Sequence, residues 1–91
     1  MDLLIMWDRN MELKSEYQTK DFYHAVVLKT VGKPLVRLEQ GEGKFSYFVF
    51  DDSDSSAEAT IRKYWSRELQ VDPKSLIDSI IELKTRLYSG V

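Results

Sequence analysis

Cysteine is absent from the chain, and histidine occurs once, at position 24. The first absence excludes disulfides, thiolate catalysis and cysteine-held zinc, and it fits a cytoplasmic protein. His24 alone does not complete a zinc site, and no partner spacing places it in a catalytic triad, so it reads as a surface histidine. An excess of one charge is also missing. The 13 basic and 15 acidic residues leave a net charge of −2, which is not the positive field of a nonspecific DNA binder. No apolar run approaches the ~20 residues of a membrane helix. The N-terminal stretch Leu3 to Trp7 has neither a basic lead nor a small-residue cleavage site, so it is not a signal peptide. Gly41 and Gly43 stand in GEG, without the lysine–hydroxyl ending and following helix of a phosphate loop. No metal, cofactor or membrane partner is expected.

What is present is ordinary globular material. Hydrophobic residues at 43% and charged residues at 31% separate the chain from disordered segments. Residues 17–91 read as a single small α+β domain, and residues 1–16 as an N-terminal extension or a short strand. Met11, which opens MELKSEYQTKD, stands beside Met1 as an alternative start.

The few glycines and prolines mark where elements stop. A helix is predicted over 19–31, with Thr19 as N-cap, Asp21 in the first turn, an apolar face of Phe22, Tyr23, Val26 and Val27, and Gly32 and Pro34 as the break. Leu35 to Glu39 and Lys44 to Phe50 then read as two strands joined through QGEG at 40–43. Because a lone hairpin is marginal in water, a third strand or a helix has to cover it, and residues 3–7 are the candidate strand. A second helix is predicted over 55–69, opened by the capping box Ser55-Ser56-Ala57-Glu58 and buried through Ala57, Ile61, Tyr64, Trp65 and Leu69. The third, over 73–89, has Asp72 as N-cap, Pro73 as first helical residue and Gly90 as stop. The expected fold is a short antiparallel hairpin against three helices, in the order (β)αββαα. Its core would be Phe22, Val26, Leu38, Phe48, Phe50, Ile61, Trp65, Leu76, Ile80 and Leu87.

The most informative segment is GKFSYFVF at 43–50. Side chains alternate across a strand, so Ser46, Phe48 and Phe50 point one way and Phe45, Tyr47 and Val49 the other. One set builds the core. The other is a candidate surface for a protein partner or a second copy. The segment FSYFVF is also similar to the base-stacking strand of RNA-recognition modules, with Phe45 and Tyr47 as the stacking pair. It departs from that motif at Phe48, where an aliphatic residue is usual, and in the order Gly43-Lys44. LLIMWD supplies no companion motif, and the chain closes on a helix where that fold needs a strand. The β-propensity of aromatic residues accounts for the similarity.

DDSDSS at 51–56 lacks the glycine and terminal glutamate of an EF-hand loop in either register, so it reads as a helix cap and solvated turn. Arg62, Lys63 and Arg67 form a small basic patch on the second helix. With Lys44 they are the candidate phosphate contacts of a nucleic-acid-binding alternative.

Several short patterns, TKDFY at 19–23, Gly32, FVFDD at 48–52, YW at 64–65, VDP at 71–73, LK at 83–84 and LY at 87–88, resemble a family of short uncharacterised domains from bacteria and their mobile elements. The resemblance runs from about Tyr17 to Tyr88. It implies a small accessory role, in a phage or other mobile element, and supplies no catalytic or ligand residues. The expectation is a non-catalytic protein-interaction or self-associating module using Phe45, Tyr47 and Val49. A nucleic-acid-binding accessory protein is the alternative.

Overall fold

The computed structural model describes residues 15–43 and 45–89. Its elements are β1 (Glu16–Thr19), α1 (Phe22–Thr30), β2 (Leu35–Gln40), β3 (Ser46–Asp51), α2 (Ala57–Ser66) and α3 (Pro73–Ser89). They make the expected α+β fold, a three-stranded antiparallel sheet with three helices. The third strand is Glu16–Thr19, while residues 3–7, the sequence candidate, lie outside the described residues.

The aromatic strand β3 is central, in the order β1-β3-β2. Tyr17 and Leu35 flank Phe50, and Thr19 and Leu38 flank Phe48. These residues share the inner face. Leu35 and Leu38 are three apart and would lie on opposite faces of a regular strand. A register shift between Leu35 and Arg37 inserts Val36 as an extra residue, which turns both leucines inward.

The helical layer packs on this face. Phe22 of α1 meets Phe48 edge to face at 6.2 Å. Ala25, Val26, Val27 and Leu28 of α1, Ala57 and Ile61 of α2, and Leu83 of α3 complete one buried cluster with Phe48 and Phe50. Leu76, Ile80 and Leu87 pack against it from the long last helix.

Capping chemistry sets the helix ends. Asp21 caps α1 by accepting from the Tyr23 and His24 amides at 2.9 and 3.1 Å. Thr19, the cap expected from sequence, is instead the last residue of β1, and its hydroxyl accepts from the Asp21 amide. After α1, Gly32 takes φ +101°, the Lys33 amide donates to Leu28 C=O and the Gly32 amide to Lys29 C=O. That pairing is a Schellman end. The same two bonds close α2, from Glu68 to Lys63 and from Arg67 to Tyr64, but there a non-glycine residue, Arg67, holds φ +68°. Asp72 caps α3 as expected, accepting from the Ser75 amide at 2.8 Å.

Two more expectations are corrected here. Ser55 and Glu58 form no capping box; Ser55 has φ +58°, and the first amide of α2, Ala57, donates to Asp52 Oδ1 at 3.0 Å. Trp65 is not core, being 67% exposed. At about 100° per residue, Ala57, Ile61 and Tyr64 centre the buried stripe and Trp65 lies about 75° around from its middle. It sits on the last turn, where its ring lies edge-on to Tyr64 and His24.

Candidate interaction surface

The outer face of the sheet is the side away from the helices. By register it carries Glu16 and Gln18 from β1, Tyr47, Val49 and Asp51 from β3, and Arg37 and Glu39 from β2. Arg37 dominates its middle. Its Nε donates to Glu39 on the same strand at 2.7 Å, and its Nη1 and Nη2 donate to both Glu16 oxygens at 3.1 and 3.0 Å. Glu16 is two strands away, so the guanidinium crosses β3. The hydrogen bonds from Arg37 hold the Glu16 carboxyl below its ordinary value. Val49, the register partner of Arg37, is 1% exposed. Of the three proposed contact residues, Val49 is therefore closed off, Tyr47 is half-buried and Phe45 is exposed.

The open part of this face is the hairpin end. Lys20, Gln40, Gly41, Glu42, Gly43, Phe45 and Tyr47 line a shallow hollow there. Gly41 is required by close approach, because a Cβ on it would lie 2.7 Å from the Tyr47 ring. The Tyr47 ring therefore rests on bare backbone. The Gly41 amide donates to Phe45 C=O at 2.8 Å and ties the turn. Lys20 Nζ stands 4.7 Å from the Phe45 ring centroid, a cation–π contact that fixes a charge beside the exposed ring.

Arg62, Lys63 and Arg67 are exposed on and just after α2. They belong to the helical layer, whereas Phe45 and Tyr47 lie on the opposite side of the sheet. The structure does not bring the basic patch and the aromatic pair into one surface. Lys44 lies outside the described residues.

The acidic segment is a structural knot. Lys33 is buried at 8% exposure, and its Nζ donates to Asp52 Oδ1 at 2.8 Å and Asp54 Oδ1 at 2.7 Å. Burial alone would lower the Lys33 ammonium; the hydrogen bonds to Asp52 and Asp54 outweigh it and leave the value raised. Asp54 also accepts from the Ser56 amide and hydroxyl, and Lys33 with Ser56 brings its carboxyl down to about 2. Asp51 accepts from the Ser53 amide and hydroxyl, which hold its carboxyl below the ordinary range. These carboxylates are turned to protein donors, which ties the turn after α1 to the start of α2.

Sequence reasoning missed His24. It is not a surface residue: its side chain is 17% exposed, wedged edge-on against Tyr64 and Trp65 at 5.8 and 5.7 Å. The four-residue steps from His24 to Leu28, and from Ile61 to Trp65, give no hint that the two helices cross at these rings.

Among the described residues no helix is long and apolar enough to cross a membrane. Comparison with curated proteins and with solved structures finds no match. A family profile, "Domain of unknown function (DUF5659)", matches residues 14–89, which takes in every described strand and helix. With a match over that span, the chain belongs to the DUF5659 family.

Proposed function

We propose that this domain is a non-catalytic protein-interaction module that docks through Phe45, Tyr47 and Lys20 at the hairpin end. The observation carrying this reading is the charge around the exposed ring. Phe45 is 56% exposed, and the described charges at its end of the sheet are mixed, with Glu39 and Glu42 against Lys20. Mixed borders around an aromatic anchor suit a protein surface, whereas phosphate backbones call for basic ones. A complementary partner would offer an apolar pocket for Phe45 and an acceptor for Lys20. An accessory role in a mobile element or phage, in the cytoplasm, belongs to the same proposal.

The test compares wild type with Phe45→Glu as paired baits in extracts of the cells that express the protein. A partner held by wild type and released by Phe45→Glu is the expected result, and equal capture by both overturns it. Fluorescence anisotropy with single-stranded oligonucleotides at low and moderate salt addresses the alternative. Binding that is lost on neutralising Arg62, Lys63 and Arg67 would replace the protein reading with the nucleic-acid one.

A further inference from the structure

The end of α2 gathers Arg62, Lys63, Trp65 and Arg67, all exposed. Lys29, Lys33, Arg37 and Lys74 each hold a carboxylate of the chain. Among the described residues, Arg62, Lys63 and Arg67 hold none.

Arg67 stands there at a cost. It holds φ +68°, in the place that Gly32 takes after α1, and glycine adopts that conformation freely while a residue with a Cβ does not. It also follows Lys63 by four residues, which adds like-charge repulsion. Lys63 already supplies a cation to the negative end of the helix. Among the described residues the Arg67 side chain makes no hydrogen bond or ion pair that offsets this cost, which directs its use outside the chain. Trp65 completes the patch. Its indole is 67% exposed and is held edge-on by Tyr64 and His24, so it is a rigid anchor that loses little freedom on docking. Arg62, three residues before it, is its neighbour on the helix surface.

We propose that the end of α2 docks an acidic peptide segment, with Trp65 as the apolar anchor and the Arg62 and Arg67 guanidiniums as its carboxylate contacts. Charge selects this occupant. Three cations without carboxylate partners call for an anionic partner, and a guanidinium matches a carboxylate with two parallel hydrogen bonds. Glu58 and Glu68, exposed in the same segment, would repel an unbroken phosphate backbone. A peptide can set its carboxylates apart from them and offer an apolar side chain to the indole. This site lies in the helical layer, separate from the hairpin end, and does not rest on the docking reading above.

Fluorescence anisotropy tests the proposal with three labelled probes: a Glu-rich peptide carrying one central Phe, the same peptide with Lys for each Glu, and a single-stranded oligonucleotide matched in charge to the first. The acidic peptide should bind at low salt and weaken as salt rises, and the basic one should not bind. Arg67→Gly is the decisive variant, because it should melt higher than wild type and yet bind the acidic peptide at least about fivefold more weakly. Trp65→Ala should lose a similar factor and Phe45→Glu none, which separates this site from the hairpin end. No binding of the acidic peptide at low salt, equal binding of both peptides, or tighter binding of the oligonucleotide overturns the proposal. So does an Arg67→Gly that binds as well as wild type or melts no higher, or a loss of peptide binding in Phe45→Glu.

Discussion

Arg37 and Glu16 sit on the two outer strands, and their side chains meet over the central one, with Nη2 and Oε1 3.0 Å apart. The bridge roofs Val49 and closes the middle of a face that the strand pattern alone leaves open. Both partners are largely solvent-exposed, so their attraction is screened by salt. Arg37→Ala is expected to lower the urea midpoint slightly, and Arg37→Lys to lower it less, with the gap between wild type and Arg37→Ala narrowing at 1 M salt. A gap that does not change with salt would mean that the arginine stem alone supplies the effect.

Phe48 and Trp65 should behave oppositely. Phe48 is 2% exposed and contacts Phe22, so Phe48→Ala is expected to cost about 3–5 kcal/mol. Trp65 is 67% exposed, so Trp65→Ala should cost no more than about 1 kcal/mol, through its edge contacts with His24 and Tyr64. Denaturant unfolding of the two variants checks both values.

Much of this fold is written in local signals. Asp72-Pro73 fixes the start of α3, Gly32 the end of α1, and the alternation of Ser46 to Phe50 the two faces of β3. What stayed hidden was tertiary. Glu16–Thr19 has little hydrophobic pattern and becomes a strand because β3 offers it a partner. The Val36 insertion is visible only once Leu35 and Leu38 are seen to share a face. For the candidate surface, Phe45 and Tyr47 were legible from strand parity. The closure of Val49 was not, because it depends on Arg37 reaching across β3 to Glu16.

Acid should loosen the domain. Glu16, Asp51 and Asp54 have carboxyls lowered in the folded state, Asp54 to about 2. Such groups stabilise the fold above their unfolded values, near pH 4, and that stabilisation is lost as pH falls through the folded values. Urea midpoints followed from pH 6 down should hold until about pH 4 and then decline toward pH 2. Lys33→Met should lower stability at neutral pH by about 1–3 kcal/mol, since Asp52 keeps its burial and loses its cation. It should also flatten the acid limb.

The two Schellman ends form an internal control. Gly32 and Arg67 occupy equivalent positions at φ +101° and +68°. Arg67→Gly is therefore expected to stabilise the domain by up to about 1 kcal/mol, and Gly32→Ala to destabilise it by about 1–2 kcal/mol. Thermal melts of both variants should shift in opposite directions.

The extra residue at Val36 has an effect beyond turning two leucines inward. A bulge bends and twists the strand that carries it, so β2 does not offer a straight ladder of amides and carbonyls along its free margin. A neighbouring chain would find no flat template there to zip onto. The same insertion that completes the core thus keeps the β2 margin from serving as a flat template for strand addition.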